Sequence, residues 1–430
     1  MSQQDEFSNV DPVARPLNLA RWRHLPLQLI AGGLLIGLIG LGAAAAGKAV
    51  TSFLLAYVVA FMFLLSLGAG ALFLVLVHHL FDAGWSVPIR RFCEHLSVAV
   101  FSLAPGFFLP IGIFAKKIYP WLSWNPQLNH ALHAKQPVFT TTGFWLVSVG
   151  TLAILWFLSW RLRALSVSQD QDGAAHWTHK LRVTASIGIF LYGFSLTFGA
   201  IMWMKALELA WFSTMYGVYY FAGCVWLALA VVYVITMILD RQGIISDVLH
   251  EHQYYFLGSL LLAFTVFYAY VTFSQYFIIW NANMPEETFY FVVREKGSWF
   301  WVGMVIIFGH FFLPFLALLR IDVKSNFAIM VPLALWSGLM HFVDMIWCVF
   351  PPHFRAGFPV GWGVVALGLT AGMIGVLMLK FLKEFHRTAP FPQKDPRLIE
   401  AMGLYHAPLV GGAASGSGLG GATARTGGTN

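Results

Sequence analysis

The chain has 430 residues, of which 58% are hydrophobic and 10% are charged, and its mean hydropathy is +0.71. Water-soluble domains carry about 25% charged residues, so this composition excludes a soluble enzyme and makes lipid the solvent. The net charge of +7 comes from Lys and Arg in short connections, which report membrane orientation, and the composition predicts no nucleic-acid partner.

Residues 1–26 are polar and contain Asp, Glu and Arg where a signal peptide would be apolar, so we interpret them as a cytoplasmic tail. The apolar runs that follow are each long enough to cross about 30 Å of hydrocarbon, and they predict an all-α membrane domain over residues 27–385. Its ten transmembrane helices are predicted at 27–46, 51–80, 94–115, 140–160, 183–205, 213–239, 254–280, 299–319, 327–348 and 359–382. Residues 386–430 are predicted to be a second cytoplasmic tail, disordered from about residue 410, where Gly, Ala, Ser and Thr dominate.

A weak internal similarity divides the predicted spans into two groups. Span 4 opens with residues 143–146 (GFWL), span 8 opens with residues 297–300 (GSWF), and both end in an Arg-containing turn. This similarity predicts that spans 2–5 and 6–9 form two four-helix bundles of the same topology. Most of the 26 Lys and Arg side chains fall on the side that holds both termini, so both termini are predicted to be cytoplasmic.

The three cysteines, Cys93, Cys224 and Cys348, are isolated from one another and lie in or beside apolar runs. Because the sequence has no CxxC or CxxCH motif, the chain is predicted to bind no haem, iron–sulfur cluster or metal of its own. It also has no P-loop, GxSxG or HExxH motif, so nothing favours nucleotide-driven transport or hydrolysis.

Ionisable residues inside spans are expensive and mark function by default. His341 and Asp344 lie three residues apart in span 9, on one helix face and within hydrogen-bonding reach. They could pass a proton or orient a quinone oxygen, and an ion pair that only holds helices together is the alternative. His310 lies mid-span in span 8, and Pro314 cannot donate to its carbonyl, which predicts a proton-relay or water-binding point or, equally, a core histidine.

Two further groups lie at the ends of spans. Glu286 and Glu287 follow Pro285 on the outer side and could accept protons at an exit, although a solvated loop is the simpler interpretation. The candidates for a cytoplasmic proton entrance, which interfacial solvation would also explain, are His78, His79, Asp82, Glu94 and His95. Ligation of a haem by His79 and His341 is disfavoured, because two ligating histidines must lie at similar depth.

Three sequence motifs carry a family resemblance. Residues 273–280 (FSQYFIIW) with residues 283–288 (NMPEET), residues 309–315 (GHFFLPF) and residues 341–344 (HFVD) occur in this order. They resemble motifs of the polysulfide-reductase-type (NrfD-like) membrane subunits of bacterial alternative complex III, and the similarity covers spans 2 to 10. Residues 80–87 (LFDAGWSV) resemble the segment after span 2 of the second of the two paralogous subunits in that complex.

The resemblance implies a ten-span subunit of a quinol:electron-acceptor oxidoreductase in the bacterial inner membrane. In the paralogue that oxidises quinol, the first four-helix bundle supplies buried His and Asp residues. Span 4 here has none between residues 140 and 160, so the chain looks like the second paralogue. The implied partners are the paralogous quinol-binding subunit, an iron–sulfur subunit, and multihaem and monohaem cytochrome c subunits. These partners would carry the haem c and the iron–sulfur clusters, with a quinol nearby.

Two other classes of function stay open at this point. The chain could be a structural scaffold that anchors redox subunits, with polar residues that only hold the two bundles together. It could also be a secondary transporter built from repeats, although the sequence has no pair of Gly- or Pro-broken helices in matching positions. Proton yield after substitution of the buried residues separates the scaffold from the proton path.

Overall fold

The computed structural model describes residues 23–136 and 138–402, and within these residues the regular secondary structure is helical, with no strand. Ten of the described helices are long and apolar enough to cross a membrane. They are α1 (Leu25–Ala46), α2 (Val50–Leu80), α3 (Val87–Ile113), α4 (Thr141–Asp172), α5 (Ala175–Trp203), α6 (Tyr216–Arg241), α7 (Glu251–Ala282), α8 (Ser298–Leu319), α9 (Phe327–Val349) and α10 (Val360–Phe385). The predicted all-α polytopic membrane fold is confirmed, whereas the disorder predicted from about residue 410 lies outside the described residues.

The long helices pack as two four-helix bundles, as predicted. In the first bundle α2 contacts α3, α3 contacts α4, α4 contacts α5, and α5 contacts α2 again. In the second, α6, α7, α8 and α9 close a ring in the same way. Helix α2 also contacts α6 and α9, which joins the two bundles, and it contacts α1 and α10. It is accordingly the most buried of the ten spans.

Helices α1 and α10 pack against each other beside the bundles through glycines that the sequence analysis did not single out. A Cβ atom added to Gly33 would lie 2.5 Å from the Cα of Gly372, so the two backbones touch. Gly33 and Gly37 in α1, and Gly368 and Gly372 in α10, each form a GxxxG pair. This pattern lets membrane helices approach closely enough for van der Waals contact between their backbones.

Helix α4 extends well beyond its predicted end at residue 160. It continues through Arg161 and Arg163 to Asp172, and α5 begins at Ala175 after a connection closed by Gly173 at φ +69°. Arg, Leu, Ala and Gln favour the helix outside the lipid as well as inside it, so hydropathy marks the membrane boundary and not the helix end. Glycine at C′ terminates the helix in the left-handed conformation.

The chain alternates between two faces of the molecule. We call the end that holds the α2–α3 connection and residues 386–402 the terminal face, and the opposite end the distal face. Residues 386–402, which belong to the segment predicted as the second cytoplasmic tail, fold back over the terminal face and include the short helix Leu398–Ala401. Ion pairs hold this segment to α3 and to Asp82 in the α2–α3 connection, as described below.

Candidate functional site

Four helices of the second bundle bring the main candidate residues together. Helix α9 supplies His341 and Asp344, α8 supplies His310, and α6 and α7 supply Tyr219 and Tyr268. All five side chains are buried. One candidate ligand or proton-accepting atom from each of His310, His341 and Asp344 lies within 4.8 Å of the others. We call these three residues the central cluster.

Two tyrosine hydroxyls hold the carboxylate of Asp344. Tyr268 donates to Asp344 Oδ1 at 2.8 Å, Tyr219 donates to the same oxygen, and the two hydroxyls lie 3.3 Å apart. No described cation lies within ion-pair distance of this carboxylate, and Oδ2 has no hydrogen-bond partner among the described residues. The two phenols therefore solvate one oxygen of a buried acid and leave the other free to bind a proton or a water molecule.

His341 shares a helix face with Asp344 but bonds to the first bundle instead. Its Nε2 lies 2.9 Å from the Oγ of Ser66 in α2. The hydroxyl of Ser66 donates to the carbonyl of Phe63 at 2.7 Å, so Ser66 accepts from His341, which places the ring proton on Nε2. His341 Nδ1 is then an acceptor, and it has no partner among the described residues. The ion pair considered between His341 and Asp344 is therefore not formed.

His310 lies between two aromatic rings that hold it in place. Trp226 stacks on one face with 3.8 Å between ring centroids, and Tyr268 stacks on the other face at 3.8 Å. Neither ring nitrogen of His310 has a hydrogen-bond partner in the described part of the chain. Buried polar atoms are nearly always hydrogen-bonded, so a histidine whose nitrogens are both free is a position for a transient proton or an unseen water.

The backbone around His310 departs from the α-helix, as Pro314 suggested. The carbonyl group that loses its backbone donor is that of Gly309, one residue before the predicted His310. Residues Ile307–Phe312 form a π-helical segment, and Leu313 N donates five residues back to Phe308. In this register Pro314 faces the carbonyl of Gly309, which takes a hydrogen bond from Trp336 Nε1 at 2.8 Å instead. Single π turns of this kind occur frequently at functional sites.

A small cavity extends from beside the central cluster toward the distal face. Its volume is about 40 Å³, and Tyr219, whose hydroxyl donates to Asp344, forms part of its wall together with Gln275 and Tyr290. A cavity of this size holds a water molecule. Asp344 is thus one hydroxyl away from a water-sized space that begins inside the second bundle.

The predicted outer acids do not reach this cavity. Glu286 and Glu287 lie in the first turn of the short helix Pro285–Arg294, where Glu286 is exposed and Glu287 is half-buried. Carboxylates are favourable at a helix N-terminus because they interact with the unpaired N–H groups. Neither residue lines the cavity beside Tyr219. Their interaction with the helix N-terminus therefore explains why both acids occur here. The segment is a helix, whereas the sequence suggested a loop.

The candidates at the terminal face are mostly buried, so interfacial solvation does not explain them. His78, His79, Glu94 and His95 are buried, whereas the side chain of Asp82 is 47% exposed. The buried four were expected at a membrane surface because they flank the turn between spans 2 and 3. They are covered instead by residues 386–402 and by the start of α3, which begins at Val87 and not at residue 94.

Two arginines that the sequence analysis left aside organise the terminal face. Arg90 donates to Asp395 Oδ2 at 2.5 Å and to His78 Nε2 at 2.8 Å, and its Nε lies 3.1 Å from Glu94. Arg91 lies 3.5 Å from Glu94 and 2.5 Å from Asp170 at the end of α4. Glu94 is therefore held between two guanidinium groups, which is the pairing that a buried carboxylate requires.

Asp395 closes this network from the far end of the chain. It accepts two hydrogen bonds from the guanidinium of Arg397, at 2.9 and 2.8 Å, and one from its backbone N–H at 3.0 Å. Arg397 also pairs with Asp82 at 2.8 Å. Burial opposes ionisation of Asp395, but the charges of Arg90 and Arg397 outweigh it and hold the pKa of Asp395 well below its usual range. The carboxylate is therefore ionised at neutral pH and anchors residues 386–402.

Two histidines of the terminal face keep free ring nitrogens beside this network. Neither nitrogen of His79 has a partner among the described residues, and the ring lies edge-on to that of His78. His95 Nε2 lies 3.1 Å from the hydroxyl of Thr388, while its Nδ1 is free in the same sense. Each of these two rings therefore offers a position at the terminal face where a proton can bind, beside the oxygens of Glu94, which also lack a hydrogen-bond partner among the described residues.

Comparison of the sequence with protein-family models and with curated proteins finds no match. The resemblance to the NrfD-like subunits therefore stays a prediction based on the motifs given above.

Proposed function

We propose that this chain is a membrane subunit of a quinol-oxidising respiratory complex of the alternative complex III type, similar to the second of its two paralogous membrane subunits. In this proposal it lies in the bacterial inner membrane with both termini in the cytoplasm. It supplies a path for protons, while haem c, iron–sulfur clusters and the quinol-binding site belong to the paralogous, iron–sulfur and cytochrome subunits beside it. The motifs at residues 273–288, 309–315 and 341–344 support the assignment to this family.

The central cluster is the observation that carries the proton path. His310, His341 and Asp344 place four polar atoms without partners among the described residues, His310 Nδ1 and Nε2, His341 Nδ1 and Asp344 Oδ2, inside the second bundle. Leaving a buried polar group unpaired costs about 1–3 kcal/mol, and more if it is charged. A protein that only anchors its neighbours gains nothing from unpaired buried polar atoms that destabilise it. A proton carrier needs such atoms, because they bind and release a proton.

The residues fall into three levels along the direction of the helices. His78, His79, Glu94 and His95 lie at the terminal face, where we place the proton entrance. The central cluster is the middle level, and the cavity beside Tyr219 begins the way out. In this arrangement the carboxylate of Asp344 takes a proton on Oδ2, and Tyr219 and Tyr268 stabilise the anion once the proton has left.

Substitution of Asp344 in the intact complex tests the proposal. Asp344→Asn and His310→Phe should lower the proton yield per electron during quinol oxidation in proteoliposomes while electron transfer continues, because the carrier is lost and no redox centre is touched. Ser337→Ala is the matched control, since Ser337 is buried in the same helix and only donates to Leu333 at 2.9 Å. An unchanged proton yield in both variants would remove the basis of the proposal.

Purification and elemental analysis test the proposed assembly and cofactor content. The tagged chain, solubilised gently, should co-purify with cytochrome and iron–sulfur subunits and show their visible spectrum. Isolation of a lone, colourless protein would contradict membership of a respiratory complex.

The donor types of the central cluster also occur in metal sites, so a stoichiometric metal in the purified chain would assign the cluster to that ion and overturn the proton path.

A scaffold is the second candidate, and the terminal face is the observation that favours it. The network of Arg90, Arg91, Asp170 and Asp395 is closely paired and, apart from the half-buried Asp170, buried, and it spans α3, α4 and residues 386–402. Such pairs can fix the arrangement of a fold without any turnover. Normal proton yield in Asp344→Asn together with loss of complex assembly in Arg90→Gln would identify the chain as an anchor.

Helix irregularities give no support to a transporter. In the described residues, α3 contains Pro105 and Pro110, α8 contains the π-helical segment before Pro314, and α9 contains Pro332. If the two bundles are repeats, α3 corresponds to α7, α4 to α8, and α5 to α9. The interruptions do not fall on corresponding helices, whereas transporters with repeats place broken helices at matching positions.

A further inference from the structure

Three charged residues at the distal face are buried although they lie outside the membrane-spanning helices. Lys205 and Glu208 belong to the single helical turn Lys205–Glu208 that follows α5, and Arg294 ends the helix Pro285–Arg294. Lys205 is 6% exposed, Glu208 is 8% exposed and Arg294 is 1% exposed. Lys, Glu and Arg are almost never this buried unless they are paired, so their surroundings decide what they do.

The pairing of Arg294 with Glu208 is incomplete. Arg294 Nη1 lies 3.3 Å from Glu208 Oε2, donates to the carbonyl of Tyr290 at 2.8 Å, and the guanidinium lies 3.4 Å over the ring of Tyr290. Its Nε donates to the carbonyl of Trp347 at 3.2 Å. Glu208 Oε1 and Arg294 Nη2 have no hydrogen-bond partner in the described part of the chain. A bidentate pair would use both, so Glu208 keeps one oxygen free.

This pair separates two cavities. Glu208 lines a distal cavity of about 240 Å³ together with Arg355, Asn129 and Phe289. Tyr290, which supports Arg294, lines the inner cavity of about 40 Å³ that begins at Tyr219. Arg294 therefore contacts the walls of both spaces. Each cavity is large enough for water, and the distal one has room for several molecules.

The charges around Glu208 favour a group that changes its protonation state. Burial raises the pKa of Glu208, and the attraction of Arg294, Arg355 and Lys205, which face it, only partly offsets this. Burial also lowers the pKa of Lys205, to about 7, and the neighbouring charge of Lys135 adds to the effect. An acid and a base displaced toward neutrality in one cluster are typical of sites that exchange protons.

We propose that Glu208 is the group that receives protons from the central cluster and releases them at the distal face, with Arg294 as the residue that positions it. The proposal rests on the proton path proposed above. One proton leaves Asp344 Oδ2, passes through water in the inner cavity beside Tyr219, and binds Glu208 Oε1, while the phenol of Tyr219 keeps its own proton. Glu208 then gives that proton to water in the distal cavity and returns to the carboxylate that pairs with Arg294. The helix N-terminal acids Glu286 and Glu287 take no part.

Three variants of the intact complex test this assignment in proteoliposomes. Glu208→Gln should lower the proton yield per electron to the level of Asp344→Asn, because either change removes one carrier from the same path. Glu286→Gln should leave the yield unchanged, since this acid is exposed on the same face. A reduced yield in Asp344→Asn with a normal yield in Glu208→Gln overturns the role of Glu208 alone. A normal yield in Asp344→Asn overturns the proposed function itself.

A second measurement covers the case in which Glu208→Gln does not fold because Arg294 loses its partner. The purified wild-type chain, labelled with ¹³C-glutamate, is titrated by infrared spectroscopy in detergent. A carbonyl band of protonated glutamic acid should persist above the pH at which exposed glutamates ionise, and Arg294→Lys should move its titration, whereas Glu286→Gln should not change it. Absence of such a band in the wild type would overturn the proposal.

Discussion

Trp336 Nε1 donates a hydrogen bond of 2.8 Å to the carbonyl oxygen of Gly309, from α9 to α8. The π register of Ile307–Phe312 makes residue 314 the next backbone donor for that oxygen, and residue 314 is a proline without an N–H. The indole therefore replaces a missing backbone hydrogen bond immediately before His310. This contact fixes the distance between the two helices that carry the central cluster.

At the carbonyl of Gly309 the indole of Trp336 replaces the backbone N–H that Pro314 lacks. The effects of substituting Trp336 and Pro314 on the free energy of unfolding should therefore be coupled. Trp336→Phe should lower the free energy of unfolding by about 1–3 kcal/mol for the unsatisfied carbonyl, in addition to the lost contacts of the larger ring. The loss should be smaller in a Pro314→Ala background, because residue 314 then has an N–H that can donate to Gly309. Unfolding of the four proteins of this double-mutant cycle in detergent measures the coupling, and equal losses in both backgrounds would contradict it.

The sequence predicted the architecture well because hydropathy and span length depend on local composition. The ten spans, the two bundles and the disturbance near His310 could all be inferred from it. The partners of Asp344 could not, since Tyr219 and Tyr268 lie 125 and 76 residues away from it. A tyrosine in an apolar run is interpreted as an interface anchor until its hydroxyl is seen to donate to a buried acid.

The terminal face escaped prediction for a different reason. Arg90 and Asp395, 305 residues apart, look like solvated residues at the ends of the membrane domain. Each becomes a buried ion only when residues 386–402 fold onto α3. A polar segment rich in proline and charge is typical of a tail, because nothing in its composition shows that its charges have buried partners. The same limit applied to Glu208 and Arg294.

Asp395 is expected to control the attachment of residues 386–402. Asp395→Asn removes the anion between Arg90 and Arg397, and breaking a buried pair in this way costs about 3–5 kcal/mol. The segment should then detach more often, so trypsin should cut after Lys394 and Arg397 much faster than in the wild type. Asp322→Asn, which breaks the exposed pair of Asp322 with Arg320, is the control and should leave the cleavage rate unchanged.

Acid should act on the wild type in the same direction. The pKa of Asp395 is lower in the folded state than in the unfolded chain, so its contribution is present above the ordinary pKa of Asp and is lost as the pH falls through the folded value. The difference in cleavage of residues 386–402 between Asp395→Asn and the wild type should therefore shrink as the pH falls, measured with pepsin, which is active in acid. Equal cleavage of the Asn variant and the wild type by trypsin at neutral pH would show that the ion pairs do not hold the segment.

Lys205 predicts a stability that also rises with pH, but in a higher pH range than that of Asp395. Its folded pKa, about 7, lies below its ordinary value of 10.5, so between these values the unfolded chain binds a proton that the native chain does not. Stability from this residue therefore rises with pH across that window. The Tm of the wild type in detergent should increase from pH 7 to pH 10 relative to Lys205→Met, and the variant should be the more stable protein at pH 7. Lys117→Met, at an exposed position on the same face, should follow the wild type at every pH.

Gly223 sets the position of His341, and its replacement distinguishes a packed site from an open one. A Cβ atom at Gly223 would lie 2.8 Å from Cε1 and 3.1 Å from Nδ1 of His341, so alanine must displace the ring and strain its bond to Ser66. A Cβ atom added to Gly338 in α9 would have open space around it, so alanine there should stabilise the helix by up to about 1 kcal/mol. Gly223→Ala should therefore lower both Tm and proton yield, while Gly338→Ala raises Tm or leaves it unchanged.

A second substitution shows whether the ring is the cause. In a His341→Ala background the added methyl group meets no imidazole, so Gly223→Ala should lose most of its effect on Tm. The coupling between two residues in contact is expected to be about 0.5–3 kcal/mol. If Gly223→Ala destabilises the protein equally with and without the imidazole, the glycine matters for helix packing in general. In that case the close fit around His341 is not what positions the central cluster.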